Sequence, residues 1–369
     1  MAQYAAMLTR SVAAAAPPGA LACFCCDEID PTFFAASADL FRFPVPQTIG
    51  VRELGRVFKA PRVMTALRRQ LEAWSPDILH VNSGHLWYSA LIPAWSRRYP
   101  LVATLHDISV HPGEWRPYEG LKRRPLLRYA RRLLVHSESL RQEALRQRLA
   151  PAERWEVVPH GLPPLPLAPR TRPVEQPFQV LFAGRLYAYK GLEILLQAWP
   201  EVLHDCPSAR LVVAGAGRLA GGQRALRSLS STVRVIHRYL DDREMADLFA
   251  QSAVVALPYI EASQSGVALA AAAFGKAVVA SRVGAIPEAV RHNETGLLVE
   301  PGNGRELAAA ILRLLQHPEE RRRLGRAAAE QAQMRFGPEP IGRRLLEIYH
   351  AAMREAGGST AAAMHRTAS

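Results

Sequence analysis

A chain of 369 residues is long for one compact domain and short for three, so its length favours two domains of ordinary size. Apolar residues make up 49% of the chain and charged residues 21%, which excludes a disordered or fibrous protein and is typical of a globular one. The formal net charge is +13, but only four of the 46 basic residues are lysines and no zinc-finger, helix–turn–helix or RNA-binding motif is present, so nucleic acid is not a predicted partner.

The first elements are a helix and a strand. Residues 2–14 form a predicted helix that lacks the basic start of a secretory signal and contains Arg10. No apolar run reaches the roughly 18 to 20 residues of a membrane-spanning helix, so a cytoplasmic protein is predicted. The strand predicted at 20–26 contains Cys23, Cys25 and Cys26, whose spacing favours small buried residues over a metal site or a disulfide framework.

The rest of the first half alternates short apolar runs with amphipathic stretches, a pattern typical of parallel sheets crossed by helices. It predicts strands at 77–82, 101–107, 133–137 and 155–160, and a long helix at 51–74. Basic residues interleave with leucines at 121–149. Two interpretations stay open for this segment: contact with an anionic membrane surface, or ordinary solvated helix faces.

The second half begins after a proline-rich stretch. Residues 162–177 contain six prolines and little periodicity, which predicts an interdomain linker. Strands are then predicted at 178–183, 210–214, 233–237, 253–258, 277–281 and 296–299, with helices at 191–204, 242–251 and 304–316 as right-handed crossovers. A last helix is predicted at 341–355, followed by a frayed tail.

The predicted fold class is α/β, with two Rossmann-like doubly wound parallel-sheet domains. The domains are residues 1–161 and 178–336, the linker is 162–177, the C-terminal helix is 337–356 and the disordered tail is 357–369. Ligands of such sheets bind at the carboxyl ends of the strands, and we expect the two domains to face each other across a cleft. Candidate functional residues are therefore expected in strand-to-helix loops.

The loop at 183–191 offers two cations. Arg185 and Lys190 stand five residues apart, between Gly184 and Gly191, at a strand end that opens into a helix. Such a loop suits a diphosphate, although the Gly-Lys-Ser/Thr ending of a P-loop is absent. An ordinary surface turn is the alternative interpretation.

Two further loops carry weaker signals. The loop at 213–218 is glycine-rich, with Gly215 and Gly217. In the loop at 257–266, Ser265 and Gly266 stand at a predicted helix start, where backbone amides favour an anion, and Glu261 is placed to accept hydrogen bonds from sugar hydroxyls. The alternative is that Ser265 only caps the helix and Glu261 is solvated.

Seven motifs of the second half, between residues 178 and 336, occur in one family's order and spacing. They are Phe182-Ala183-Gly184-Arg185 with Lys190-Gly191, Val213-Ala214-Gly215-Ala216-Gly217, Tyr239-Leu240-Asp241-Asp242, Leu257-Pro258-Tyr259, Phe274-Gly275-Lys276 with Ala277-Val278-Val279-Ala280, Gly284-Ala285-Ile286-Pro287-Glu288, and Asn293-Glu294-Thr295-Gly296-Leu297-Leu298-Val299. In these motifs the chain resembles the retaining glycosyltransferases of family 4, also called glycosyl transferases group 1, which have the GT-B fold of two facing Rossmann-like domains.

The resemblance implies a nucleotide-sugar site. It implies that Arg185 and Lys190 neutralise the diphosphate and that Glu261 meets the donor sugar. In the first half, Thr104-Leu105-His106-Asp107 is similar to the strand that ends in a histidine beside the sugar, and His111-Pro112-Gly113 continues a pattern of some members. We therefore expect His106, Arg185, Lys190 and Glu261 to be catalytic, Asp107 and His111 to lie on the acceptor side, and the donor to be bound by Gly184, Gly215, Gly217, Tyr239, Ser265, Gly266 and Glu288.

The chain departs from the family pattern at two places. The family usually has a second glutamate that holds the ribose, but Ala270 stands there, and Glu261 falls one position early, in the variant Glu-Ala-Ser-Gln-Ser-Gly. The family also begins with a strand and a glycine-rich loop before its first helix. Here the chain starts at that helix, so the leading strand is expected to be missing or truncated.

The expected activity is sugar transfer from a nucleotide-diphosphate donor to a hydroxyl acceptor, with retention of anomeric configuration, in polysaccharide, glycolipid or glycoconjugate biosynthesis. Fixed cations and helix-end amides stabilise a departing diphosphate without a metal, so no metal or other cofactor is expected. The expected partners are the nucleotide sugar, a saccharide or lipid-linked acceptor and an anionic membrane surface contacted by 121–149. The alternatives are a non-catalytic sugar-nucleotide-binding scaffold and a nucleotide-sugar epimerase of the same fold.

Overall fold

A computed structural model describes residues 2–17, 22–26, 34, 38–43, 60–82, 84–109, 119–163, 174–217, 226 and 228–366. The chain divides into two compact units. The first unit contains residues 1–108, 116–161 and 338–369, and the second contains residues 109–115 and 162–337.

The first unit is built on a four-stranded parallel sheet. Its strands stand in chain order, β3 Leu79–Val81, β4 Leu101–Thr104, β5 Arg132–Val135 and β6 Trp155–Val157. A separate parallel pair joins β1 Ala22–Cys26 to β2 Asp39–Phe43. The five strands predicted for this half are present with shorter bounds, whereas β2 was not predicted from the sequence. The side chains of the three clustered cysteines and residues 51–59 of the predicted long helix lie outside the described residues.

Helices connect and cover these strands. They are α1 Ala2–Ala15, α2 Ala60–Trp74, α3 Leu86–Ser89, α4 Ile92–Arg98, α5 Glu119–Tyr129 and α6 Glu138–Arg146, with a 3₁₀ turn at Ala152–Arg154. On one side of the sheet the core includes Leu101, Leu133 and Trp155, and on the other Val102 and Leu134. All four residues of β4 are buried, as a central parallel strand requires.

The second unit is a six-stranded parallel sheet with helices on both faces. The spatial order is β12-β11-β10-β7-β8-β9, with β7 Gln179–Ala183, β8 Arg210–Ala214, β9 Val233–Ile236, β10 Val254–Leu257, β11 Ala277–Ser281 and β12 Gly296–Val299. All six predicted strands are confirmed. Their near-continuous valine, leucine and alanine runs are typical of parallel strands that are buried on both faces.

The helices of this unit include the three predicted crossovers. They are α7 Leu192–Asp205, α8 Asp242–Gln251, α9 Gly266–Ala273, α10 Ile286–Ala289, α11 Gly304–Gln316 and α12 Pro318–Phe336, with a 3₁₀ turn at Ala188–Lys190. A capping box fixes the start of α8, because Asp241 accepts from backbone amides and Glu244 accepts from the Asp241 amide. In the sheet, β8 and β9 lie on one side of β7, and β10, β11 and β12 lie on the other. Because the chain adds strands on both sides of its first strand, the unit is doubly wound.

The last helix, α13 Pro338–Arg366, belongs to the first unit. It packs against α1 so closely that a Cβ on Gly342 would clash with the Ser11 carbonyl oxygen. The sequence predicts a frayed tail from residue 357. This prediction was wrong for residues 357–366, because the helix continues to Arg366. Its alanine-rich end has high helix propensity, which outweighs the two glycines when the helix is already nucleated. Among the described residues, no helix is long and apolar enough to span a membrane.

Candidate functional site

The strand-to-helix loops of the second unit are joined by backbone hydrogen bonds at the carboxyl edge of its sheet. The Gly184 amide donates to the Ala214 carbonyl at 3.0 Å, and the Leu186 amide donates to the Ala216 carbonyl at 2.8 Å. A Cβ on Gly215, which has φ of 146°, would clash with the Gly184 carbonyl oxygen, so this close approach requires glycine. The predicted Gly184, Gly215 and Gly217 therefore lie together in one backbone cluster.

The loop after β7 also contacts the loop after β10. The Ile260 amide donates to the Tyr189 carbonyl at 2.8 Å. Gly191 has φ of 69°, and a Cβ there would clash with the Pro258 carbonyl oxygen. Lys190, which stands between these contacts, is therefore held beside the loop that contains Glu261.

Aromatic rings hold the two predicted cations. The Lys190 Nζ lies 3.7 Å from the centroid of the Tyr259 ring and 5.1 Å from that of Tyr189. The Arg185 guanidinium carbon lies 5.2 Å from the Tyr187 centroid, and its Nη2 donates to the Tyr189 hydroxyl at 3.5 Å. Arg185 is exposed and Lys190 is half-buried. Cation–π attraction orients a cation without neutralising it, so these ring contacts leave the positive charge of both groups in place.

The start of α9 lies against the same aromatic group. The Ser265 Oγ accepts from the Ala268 amide at 3.2 Å, which makes Ser265 the N-cap, and it lies 3.3 Å from the Tyr259 hydroxyl. Burial raises the pKa of Tyr259 to about 12, so its hydroxyl is neutral near pH 7. A Cβ on the exposed Gly266 would meet nothing within 4 Å, so space lies open next to the first turn of the helix.

The remaining donor-side predictions differ in their surroundings. Glu261 is exposed, Glu288 lies in α10, and Tyr239 is 75% exposed just before the capping box of α8. Ala270 is 3% exposed and belongs to an apolar core cluster. A carboxylate at that position would be buried among alkyl groups, which is energetically costly. Alanine therefore fits these surroundings better than the glutamate of the family would.

His106 lies in the first unit, within a cluster of histidines at the carboxyl end of the sheet. His80 belongs to β3, His106 and His136 follow β4 and β5, and His160 follows β6. The His106 Nδ1 lies 3.0 Å from the His136 Nε2. The Tyr4 ring packs edge-on against His106, with centroids 4.4 Å apart.

Backbone and side-chain oxygens surround this cluster. The His106 Nε2 lies 3.0 Å from the Asn82 carbonyl oxygen, and the His136 Nδ1 lies 3.0 Å from that of Val158. The His80 Nε2 lies 2.8 Å from the Thr104 Oγ1, and its Nδ1 lies 2.6 Å from the Tyr349 hydroxyl.

Burial keeps these imidazoles neutral. It lowers the pKa of His106 to about 4 and that of His80 to about 3. Burial and the neighbouring histidines hold the pKa of His136 well below its ordinary value, and burial lowers that of His160 as well. The cluster therefore offers neutral hydrogen-bonding nitrogens near pH 7 rather than cations.

The described structure brings most predicted residues into two groups, one in each unit. Asp107 follows His106 directly, whereas His111 lies outside the described residues. Sequence reasoning missed Tyr259 as a ring under Lys190, and it missed His80 and His136. The available signal was position, because each of the two histidines lies in or just after a predicted strand. Within the described ranges, no group of three or more His, Cys, Asp or Glu residues is arranged to hold a metal ion.

Solved structures share this architecture. Sucrose-phosphate synthase from Thermosynechococcus elongatus aligns with a TM-score of 0.70 at 21% identity, over 94% of this chain and 92% of that chain. HepE from Anabaena, solved in complex with UDP and glucose, aligns with a TM-score of 0.61 at 21% identity, over 85% and 86%. The protein therefore has the α/β GT-B fold of these structures, as the sequence predicts.

Sequence comparisons define the family. Residues 19–164 match Glycosyltransferase Family 4, and residues 177–317 match Glycosyl transferases group 1. The D-inositol 3-phosphate glycosyltransferase of Arthrobacter sp. (strain FB24) is 31% identical over 303 residues, covering 75% of this chain and 71% of that protein. The glycogen synthase of Mycobacterium tuberculosis (strain ATCC 25618 / H37Rv) is 29% identical over 297 residues, covering 76% and 70%. The chain belongs to glycosyltransferase family 4, the group 1 glycosyl transferases, and the resemblance is confirmed.

Proposed function

We propose that this glycosyltransferase moves a sugar from a nucleotide-diphosphate donor to a hydroxyl acceptor with retention at the anomeric carbon. The observation that carries the proposal is the placement of Arg185 and Lys190 at one sheet edge, beside the N-terminus of α9. Two cations and a helix N-terminus attract the same ligand, a diphosphate. The complex of HepE with UDP and glucose supports a nucleotide-sugar donor.

In the proposed reaction, the bond between the anomeric carbon and the β-phosphate oxygen breaks, and a bond to the acceptor oxygen forms on the same face. The acceptor proton passes to the leaving phosphate oxygen. Arg185 and Lys190 stabilise the charge that develops on the diphosphate, since preorganised charges act without reorganisation. Glu261 and His106 are proposed to bind sugar hydroxyls, Asp107 and His111 to act on the acceptor side, and no metal is called upon.

Ribose recognition is proposed to differ from the usual family arrangement. Ala270 presents no carboxylate and is buried in an apolar cluster. The same observation favours the second candidate function, a scaffold that binds the nucleotide sugar without turning it over. A nucleotide-sugar epimerase stays the third candidate.

One assay separates these candidates. UDP-, GDP- and ADP-sugars are incubated with mixed saccharide and lipid acceptors, and release of free nucleotide is measured. A transferase releases nucleotide only when an acceptor is present, a scaffold binds the donor without release, and an epimerase interconverts sugars with no acceptor. Release that persists at the same rate in the Lys190→Ala protein would contradict the proposed site.

We further propose that the protein works at the cytoplasmic face of a membrane, on a saccharide or lipid-linked acceptor. Leu121 on α5 is 58% exposed, and Arg124 and Arg128, also exposed, follow it at helical spacing. An exposed leucine among arginines favours anionic headgroups. By contrast, Arg132 and Arg141 of the basic segment form ion pairs within the first unit.

The membrane proposal is tested by sedimentation with vesicles. The protein is expected to pellet at low salt with vesicles that contain phosphatidylglycerol, and to stay in solution with phosphatidylcholine alone. The Arg124→Glu and Arg128→Glu double variant should lose the effect, because it reverses charge only on the exposed face of α5. Absence of pelleting at low salt would contradict the proposal.

A further inference from the structure

A groove of about 250 Å³ lies in the second unit, between helix α12 and the turn that precedes strand β12. Arginine, glutamate and small polar side chains of these two segments line it, and none of the predicted donor-site residues is among them. The volume is just below the range of about 300 to 1,000 Å³ that is usual for drug-sized ligands. A small metabolite therefore fits this groove better than a nucleotide sugar does.

Two buried polar side chains of the groove have unused hydrogen-bonding groups. Gln331 is 7% exposed and Thr295 is 5% exposed. The Gln331 Nε2 donates to the Ala289 carbonyl at 3.2 Å, and the Thr295 Oγ1 accepts from the Arg291 amide at 2.8 Å. Among the described residues these two side chains make no other hydrogen bond, which leaves the Thr295 hydroxyl proton and the Gln331 Oε1 unpaired. Unpaired polar groups on buried side chains favour a polar occupant.

Two guanidinium groups also line the groove. The Arg335 Nη1 donates to the Glu288 carbonyl at 2.9 Å, and within the described part of the chain Arg335 forms no ion pair. Burial and the charge of Arg291 lower the pKa of Arg335, while the Glu288 carboxylate acts in the opposite direction. The two arginines therefore repel each other. An anion between them relieves this repulsion, and guanidinium groups bind phosphate through paired hydrogen bonds.

Two carboxylates restrict what else the ligand can carry. Glu294 lies 3.6 Å from the Arg291 Nη1 in an exposed ion pair, which contributes little at a surface. Glu330 is exposed and forms no ion pair with any described residue. Ionised carboxylates only accept hydrogen bonds, so they suit hydroxyl groups and repel a second anionic group. The groove thus fits a single phosphate that carries hydroxyl groups, rather than a diphosphate.

Side chains of the groove also hold the end of the short helix α10. Arg335 and Gln331 donate to the carbonyls of Glu288 and Ala289, which are the last two residues of that helix. The last carbonyls of a helix have no partner within it, so these side chains supply the missing donors. A ligand that orders Arg335 therefore also acts on α10.

Helix α10 in turn is connected to the loop that contains Glu261. The turn before the helix packs tightly on that loop, because a Cβ on Gly284 would clash with the Ala262 carbonyl oxygen. The Ile286 amide, at the start of the helix, donates to the Val283 carbonyl at 3.0 Å. Contacts between the groove and the predicted donor loop are thus continuous within the second unit.

We propose that this groove is an effector site for a small phosphate monoester, and that its occupation strengthens binding of the nucleotide sugar. Arg291 and Arg335 hold the phosphate, and Glu330 and Gln331 bind the attached hydroxyls. The site is a property of this unit alone, whereas its effect on the donor rests on the proposed function. Coupling between two sites is reciprocal, so the donor should strengthen binding of the effector by the same factor.

Calorimetric titration with glycerol 3-phosphate tests the site. The titrated protein is Lys190→Ala, because this variant removes a cation of the predicted diphosphate site that could bind the same probe. We expect one molecule to bind per chain, and glycerol without phosphate to give no binding. Arg291→Gln and Arg335→Gln, each combined with Lys190→Ala, should weaken binding about tenfold or more.

A matched control separates the groove from general positive charge. Arg326→Gln, also combined with Lys190→Ala, replaces an exposed arginine of α12 that does not line the groove, and it should leave the affinity unchanged. Arg291 makes no contact with α10 that Arg335 makes, so Arg291→Gln keeps the test valid if Arg335→Gln does not fold. Absent binding, or equal binding in the groove variants and the control, would overturn the site.

The effect on the donor is then measured in the wild-type chain, with whichever of the UDP-, GDP- and ADP-sugars binds. Glycerol 3-phosphate is expected to lower the Kd of that donor about fivefold or more, and to have no such effect in Arg291→Gln. An unchanged Kd, or an equal rise in both proteins from competition for the diphosphate site, would overturn the effector role. If no nucleotide sugar binds, the proposed function fails while the titration of Lys190→Ala still decides the groove.

Discussion

Acidification should destabilise the first unit through its buried histidines, and His80 allows the size of the effect to be worked out. Burial lowers its pKa from 6.5 to about 3. At pH 5 the histidine of the unfolded chain is mostly protonated, while His80 in the folded chain is not. The contribution of the neutral His80 to the free energy of unfolding is therefore fully present above about pH 6.5 and is lost as the pH falls toward the pKa of the folded state.

The magnitude follows from the distance to the ordinary pKa. At pH 5 the unfolded histidine lies about 1.5 pH units below its pKa, and at about 1.4 kcal/mol per unit His80 alone favours unfolding by about 2 kcal/mol. His106, His136 and His160 shift in the same direction, so the loss in the wild-type chain is larger.

Urea unfolding at pH 7 and pH 5 measures this loss. Tryptophan fluorescence reports mainly on the first unit, which contains four of the six tryptophans, Trp74, Trp87, Trp95 and Trp155. His80→Gln cannot titrate, so it should reduce the difference between the two pH values by about 2 kcal/mol. His350→Gln replaces an exposed histidine of α13 and should leave the difference unchanged. The same pH dependence in His80→Gln and wild type would refute the reasoning.

Two other predictions concern the second unit. Tyr259→Leu removes the ring whose centroid lies 3.7 Å from the Lys190 Nζ and should lower kcat/KM for the donor about tenfold. Tyr259→Phe keeps the ring, so its kcat/KM should stay near that of the wild type. Equal losses in the two variants would argue against the cation–π contact. Glu175→Gln removes the carboxylate that lies 2.6 Å from the buried Lys276 and 3.1 Å from the buried Arg321, so both cations lose this counter-charge. The substitution should lower the free energy of unfolding of this unit by about 2 kcal/mol in urea titrations. An unchanged midpoint would contradict the prediction.

The two halves of the fold differ in how far the sequence predicts them. The second unit has strands buried on both faces, which form continuous apolar runs such as β11 and β10, and these are recognised without tertiary information. Strand β2, Asp39–Phe43, has only five residues, and its polar residues Asp39 and Arg42 do not alternate with the apolar ones, so its pattern cannot be separated from that of a loop. Helix α12 was missed because its first turns are dominated by glutamate and arginine.

The candidate site shows the same division. Glycines and cations in strand-to-helix loops follow from local sequence, and the structure gathers Gly184, Gly215 and Lys190 at one sheet edge. The ring of Tyr259 and the pairing of His106 with His136 depend on which strands are neighbours. Strand order is a tertiary property, so the residues that orient the predicted ones could not be assigned from spacing alone.

The central claim is that Lys190 stabilises the diphosphate as it leaves. It is tested most directly by kcat for glycosyl transfer by Lys190→Ala at saturating donor and acceptor. We predict a fall of about a hundredfold or more, the size seen when one preorganised electrostatic group is removed. The Arg234→Ala protein, which loses an exposed cation of β9 in the same unit, should keep the wild-type kcat. A Lys190→Ala protein with wild-type kcat would contradict the account.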